Sequence, residues 1–532
     1  MTATTQRRKR GRIAAAAAGA ALVLGTGGGV AAAAWLLPGP GTADGAVPRI
    51  TLPAGDFVAS CPEAPRVVEG TTAEGTDPAF GSASSTERAP LRAVVVGDAA
   101  ERIPGSVVSD AEGGEVQRLA PAVPDAEAAQ EAAASADGFS GRSAAARSGI
   151  ESGGPTALTV QPLGGFTSVA GMARGYEAED GDLAGLASSR CQSPSHEQWL
   201  VGASTELGRM ALLVVTNPSA SASTVDLEVH GPTGPIDSGA TRGIVLAPGE
   251  SKRIVLAGLA ADEPAVSVHV VAKGAPVVSV IQQSVLRGLV PGGVEYIEPS
   301  AAPADGQTVA GVLVQDPEAT AHLDGDEYAD ASTALQVTVP GTEDAVLNVR
   351  AFGTGGEAAL PGDGVHSVEA GQTVLVPLDS LGAGTYTVNV QADQPLVAAV
   401  RTVWGNAESP ETDLAWMASA ERLGSEHLVV VPETGTARLA FGSVGGESTI
   451  TLRPVSADGG IGAETTLQTS GGTTLVQDIT RLGGDTVAVI VGTSGDPVYG
   501  GLVGFQPRGT ATGTTLPPAT PSQRSVVVDV TP

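Results

Sequence analysis

Five short pieces decide how this chain folds: LLVVTNP (212–218), VDLEVHGP (225–232), IVLAPGES (244–251), AVSVHVVA (265–272) and PVVSVIQQS (276–284). Each is rich in Val, Ile and Leu and bounded by Gly, Pro, Asn or Ser, the pattern of short strands in an all-β domain. The same order of pieces returns downstream. LLVVTNP aligns with LQVTVP (335–340) and HLVVVP (427–432), and VDLEVH with AVLNVRAF (345–352) and STITLRP (448–454). LAPGES (246–251) aligns with VEAGQT (368–373) and TSGGTT (469–474). RIVLAGL (253–259), AVSVHV (265–270) and PVVSV (276–280) find counterparts in the same sequence order.

A closing hairpin ends each copy. SVAGMARGYEAEDGDLAGLASS (168–189), VSVIQQSVLRGLVPGGVEYIEPS (278–300) and VAAVRTVWGNAESPETDLAWMASA (397–420) each read as strand, polar loop, strand. On this reading 56–195 is a divergent first copy, followed by copies at 196–302, 303–420 and 421–532. The last copy lacks a closing strand at its expected place, so SVVVDVTP (525–532) is predicted to supply one near 526–530. Seven strands in about 110 residues predict tandem immunoglobulin-like β-sandwiches, although the Cys–Trp–Cys core of true immunoglobulin domains is absent. A β-propeller is the architectural alternative, and it calls for more uniform blades.

Outward from these copies, the N-terminus carries a basic run, RRKRGR (7–12), and then an uncharged segment, 13–37. As a helix it is about 37 Å long, enough to span a hydrocarbon core of about 30 Å. The preceding charges predict a cytoplasmic N-terminus (1–12), a single-pass signal-anchor, a spacer (38–55) and an extracytoplasmic body. The alternative is secretion after signal cleavage at the small residues AAAA (31–34). Cys61 and Cys191 are the only cysteines, and in an exported chain they predict one disulfide. Residues 125–148 are Ala-rich without an apolar stripe and read as a short surface helix or a loop.

Net charge is −29; beyond the basic run the remaining 24 Lys and Arg face 58 acids, a balance of −34. Such a body repels phosphate backbones and argues against nucleic acid as a partner. No G-x-S-x-G elbow occurs, no Lys lies three residues after a Ser, and the six His are scattered. No catalytic constellation and no cofactor are expected. Two acidic loops, EAEDGD (177–182) and HLDGDEYAD (322–330), hold oxygen ligands of the kind calcium takes, with Asp324, Asp326 and Asp330 a weak candidate site. Trp404 and Trp416 are candidate ligand contacts that could stack on a sugar ring, against the plainer reading that they plug junctions between copies.

The run SSRCQSPSHEQWLVGAST (188–205), with the early Cys61-Pro62, resembles an uncharacterised actinobacterial family of exported proteins. The matching positions are Cys191, Pro194, Trp199, Val201 and Gly202. The resemblance implies an N-terminal membrane segment and genes that lie near a large glycosyltransferase, and it supplies no catalytic residues. The expected function is a non-catalytic extracytoplasmic scaffold or interaction module of the cell envelope, linked to glycan assembly, with envelope proteins or cell-wall glycan as partners. The alternative is a glycan- or calcium-binding cell-surface module.

Overall fold

A computed structural model describes residues 49–50, 54–68, 75–130, 141–323, 325–518 and 526–527. The expected membrane segment, most of the spacer and Asp324 lie outside the described residues. Among the described residues no helix is long and apolar enough to cross a membrane. The described residues are all-β, with 54% strand and 5% helix. Two units are present: a two-strand pair, β1 (Arg49–Ile50) with the last strand of the chain (Val526–Val527), and the body that begins at Ala54.

The body contains four repeats, each built from two sheets. Repeat one holds β2 (Phe57–Cys61), β3 (Leu91–Val96), β4 (Ser106–Asp110), β5 (Glu115–Ala120), β6 (Ala144–Ile150), β7 (Thr156–Val160), β8 (Ala170–Ala178) and β9 (Gly185–Arg190). Its sheets run β2-β7-β4-β5 and β6-β3-β8-β9. Repeat two holds β10 (Glu197–Ala203), β11 (Arg209–Thr216), β12 (Ser223–Gly231), β13 (Gly234–Ile236), β14 (Ile244–Leu246), β15 (Ser251–Val255), β16 (Val266–Gly274), β17 (Val278–Arg287) and β18 (Val290–Ile297). The order recurs as β10-β16-β12-β13 and β15-β11-β17-β18.

Repeat three holds β19 (Ala304–Val314), β20 (Ala334–Thr338), β21 (Ala345–Gly353), β22 (Gly356–Ala358), β23 (Val365–Val368), β24 (Thr373–Pro377), β25 (Gly384–Gly405) and β26 (Thr412–Ala418). Here one 22-residue strand, β25, serves both sheets, pairing first with β19 and β21 and then with β20 and β26. Repeat four holds β27 (His427–Val430), β28 (Thr436–Ser443), β29 (Ser448–Ser456), β30 (Thr465–Thr469), β31 (Thr473–Asp478), β32 (Thr486–Gly495), β33 (Val498–Gln506) and β34 (Thr510–Thr515). Its sheets are β27-β32-β29-β30 and β31-β28-β33-β34. The terminal Val526–Val527 strand is β35.

Four expectations change. The closing strand of the fourth repeat is β34, paired with β33, whereas Val526–Val527 pairs with β1; residues 528–530 lie outside the described ones. HLVVVP is a first strand, β27, and the true counterpart of LLVVTNP is β28, which lies between β31 and β33. Among the described residues of the Ala-rich stretch, Asp125–Ala128 form a helix, and the end of the stretch enters β6. Among the described residues, repeats one and four have eight strands, with the first beside the sixth and the second beside the seventh, a pairing different from the immunoglobulin order.

Continuous apolar runs in these repeats mark strands buried on both faces. Along β11, Ala211, Leu213 and Val215 enter their own core, while Met210, Leu212 and Val214 pack with Tyr176 and Leu183 of repeat one. Along β3, Ala93 and Val95 face inward, and Val94 and Val96 pack on Leu428, Val430 and Ile490 of repeat four. The last contact closes the ring, since repeats two to three and three to four dock in the same sense. Gln336 Nε2 donates to the Val266 carbonyl at 2.9 Å, and Thr474 Oγ1 to Thr387 Oγ1 at 2.8 Å. Cys61 and Cys191 form the expected disulfide and join the core of repeat one.

Trp416 is 4% exposed and sits in the core of repeat two, although it belongs to repeat three. Room for it comes from Gly202, in a bulge of β10 with φ +139°, where an added Cβ would lie 2.8 Å from the indole. Gly202→Ala is therefore expected to destabilise the fold by about 1–3 kcal/mol, read by chemical denaturation. Gly341→Ala, with open space around it, should stay within about 0.5 kcal/mol; equal effects would refute the junction.

Candidate functional site

Each repeat ends on a strand with one free edge: β9, β18, β26 and β34. In an ordinary sheet such an edge exposes unpaired N–H and C=O groups. Here the four edges pack together along one axis, β9 and β26 each between β18 and β34. They share no ladder with one another. Their amides instead meet three carboxylates.

Asp413 on β26 accepts from Leu186 N at 2.8 Å, Ala511 N at 3.2 Å and Leu414 N at 2.9 Å, and from Val294 N. Glu295 on β18 accepts from Ser188 N at 3.1 Å, Gly513 N at 3.0 Å and Tyr296 N at 3.0 Å, and from the Thr512 hydroxyl. Glu298, just past β18, accepts from Arg190 N at 2.7 Å and Ser189 Oγ at 3.0 Å, and from Thr515 N. Residues 186, 188 and 190 share one edge of β9, and 511, 513 and 515 share one edge of β34, because alternate amides of a strand point the same way. The three carboxylates thus form a ladder that stands in for backbone pairing between β9 and β34. Gly185 and Gly293 make way for Asp413, whose side-chain atoms lie 2.6 Å and 2.4 Å from where their Cβ atoms would be.

Asp413 and Glu295 are fully buried. Burial pushes both carboxyls well above their ordinary range, against the pull of the converging N–H donors. Burial likewise raises Glu298 to about 7, opposed by Arg190 at 3.4 Å. Each of these carboxyls is engaged by several donors from neighbouring strands, which suits cohesion rather than proton transfer.

The residues expected to carry chemistry are placed elsewhere. Asp330 is gripped by Arg209 at 2.7 Å and Arg287 at 2.9 Å, and those guanidinium bonds hold it down to about 2 despite its burial. A carboxylate so engaged is not available to calcium. Asp326 lies in a short 3-10 turn, and no group of three potential metal ligands occurs among the described residues. In the other acidic loop, Asp180 accepts from Ser84, Ser85 and Thr86, and Glu177 and Glu179 pair with Arg508. Trp404 donates to the Leu313 carbonyl at 3.1 Å and meets Phe505 of repeat four, so both tryptophans act as junction plugs. Burial of Trp416 rules out sugar stacking on its ring. His269 stacks on Trp199 at 4.3 Å, with its two nitrogens 3.0 Å from Glu197 and 2.9 Å from Glu228.

Sequence reasoning missed Asp413, Glu295 and Glu298. The available signal was an acid inside an apolar closing strand, as in TDLAWM (412–417) and VEYIEP (294–299).

Asp413→Ala strips the acceptor from amides of three other strand segments and is expected to cost about 3–5 kcal/mol, seen as an early loss of Tm; an unchanged Tm would refute the ladder. A carboxyl with a raised value binds its proton more tightly folded than unfolded, so stability falls as pH climbs from the carboxylate range through 7. Tm is expected to be lower at about pH 8 than at about pH 5, and Glu298→Gln to flatten that slope. A Tm that rises with pH identically in both proteins would contradict this.

No curated protein matches the chain. Among solved structures, a chain from the crystal structure of Salmonella alpha-2-macroglobulin reacted with methylamine aligns at 12% identity, covering 86% of this chain and 31% of that one, with a TM-score of 0.10 that carries no argument. This chain therefore spans about a third of that chain's length. The model of a family of unknown function, DUF5719, matches residues 145–480, which covers most of repeat one's second half, all of repeats two and three and much of repeat four; the protein belongs to that family.

Proposed function

We propose that the protein is a non-catalytic, outward-facing scaffold of a cell envelope, held at the membrane through residues 13–37. Its four repeats, immunoglobulin-like in architecture but with their own strand order, serve as one rigid platform for envelope proteins or cell-wall glycan. The observation that carries this reading is the axial ladder. Three deeply buried carboxylates, the groups most suited to acid–base work, are each spent on the backbone amides of neighbouring repeats. The disulfide suits an oxidising compartment outside the cytoplasm, and the acidity of the body suits solubility there. The alternative of a glycan- or calcium-binding module placed on Trp404, Trp416 and Asp330 is disfavoured by the burial of Trp416 and the ion pairs of Asp330.

Protease added outside intact cells is expected to digest the body, and crosslinking on those cells to join it to envelope proteins. A body protected from protease, or crosslinks confined to cytoplasmic proteins, would overturn the proposal.

A further inference from the structure

The junction of repeats two and three gathers positive charge in a chain that is otherwise acidic. Arg209 opens β11, Arg287 closes β17 and Arg401 lies on β25, and all three line one cavity of about 10 Å³ with Asp330 and Gln283. We propose that this cavity binds one monatomic anion of chloride size, held by the Arg401 guanidinium between the two repeats. The proposal goes beyond the scaffold reading and does not depend on where the protein resides.

Asp330 serves two of the three arginines. Arg209 and Arg287 both pair with it and give their other N–H groups to the Glu327 carbonyl and the Thr412 hydroxyl. Arg401 is left over, although it is only 8% exposed. Among the described residues it forms no ion pair, and its one hydrogen bond is long, from Nε to the Ser332 carbonyl at 3.4 Å. Its guanidinium carbon stands 5.8 Å from the ring centre of Trp416, its partner across the β25–β26 ladder. Its two Nη atoms have no acceptor among the described residues, yet they are not sealed from solvent. A buried charge needs a counter-charge and acceptors for its N–H groups.

Charge and size narrow the class. Three guanidiniums against Asp330 leave two positive charges, and the half-buried Glu206, which acts on Arg401 without an ion pair, offsets one of them. Burial, then the neighbouring Arg287 and Arg209, pushes the Arg401 guanidinium down, and an anion beside it would oppose that push. Gln283 supplies a second donor: Ser204 N holds its Oε1 at 2.9 Å, while Nε2 has among the described residues only a long bond of 3.4 Å to the Ser284 carbonyl. A cavity of this volume takes about one water-sized particle. A tetrahedral oxyanion is too large for it, and a cation is repelled.

The test follows the chlorine NMR line width of sodium chloride with the full chain, ionic strength being held constant with gluconate. Saturable broadening with half-occupancy at about 1–10 mM chloride is expected, displaced by bromide and not by sulfate. Tm should rise by about 1–2 °C as chloride replaces gluconate up to about 150 mM. Arg401→Gln should weaken binding at least about tenfold and abolish that rise, whereas Arg481→Gln, at a side chain 78% exposed, should change neither. Should Arg401→Gln fail to fold, bromide located by anomalous diffraction in crystals of the full chain decides, with a site expected within about 3.5 Å of an Arg401 Nη atom. The proposal is overturned if broadening does not saturate, if it survives Arg401→Gln, if sulfate displaces chloride as well as bromide does, or if bromide binds only elsewhere.

Discussion

An edge strand taken out of water must find partners for its amides, and this protein buries four of them side by side. That constraint governs the body. Direct pairing of the four edges into one sheet would fuse four repeats into a single surface. The chain instead places Asp413, Glu295 and Glu298 between β9 and β34, where each carboxylate accepts from both edges at once. A carboxyl brings two acceptor oxygens on one side chain, so it can serve amides of both edges at once, and burial strengthens each of those bonds. The same burial makes the arrangement intolerant, since a lost carboxylate leaves several amides without partners.

Around that axis the repeats dock in one sense. The outward face of a second-position strand rests on the preceding repeat, and β3 on repeat four completes the circuit. The chemistry of the junctions differs while their geometry recurs. Repeat three meets repeat two through Gln336, Thr338 and Ser267, whereas repeat one meets repeat four through Val94, Val96, Leu428 and Val430. The closing contact, between the first and last repeats, is thus apolar, as is the junction of repeats one and two. Further ties cross it, including Arg92 to the Val431 carbonyl at 2.6 Å and Ala144 N to the Gly459 carbonyl at 2.8 Å.

Much of this was legible in particular residues. Leu212 to Ser284 read as strands and are strands, and the closing hairpins at 168–189, 278–300 and 397–420 form as read. HLVVVP misled because a first strand and a second strand are equally apolar when each is buried on both faces; composition alone cannot separate them. SVVVDVTP misled because apolar content does not specify a partner, while the true closing strand, TATGTT (510–515), is Thr- and Gly-rich and resembles a loop. Its glycine has a tertiary cause: a Cβ on Gly513 would meet the Met417 sulfur.

By itself the sequence determined the all-β class, the repeat, the single disulfide pair and the absence of a recognisable catalytic motif, because periodicity, turn residues and cysteine count are local properties. Only the tertiary structure decided that the repeats close on themselves, that Trp416 fills the core of a neighbouring repeat, and that three isolated acids converge on one axis. The physical reason is distance along the chain. Leu186 and Ala511 are separated by most of the body, and they share Asp413 only because ring closure brings the first and last free edges together.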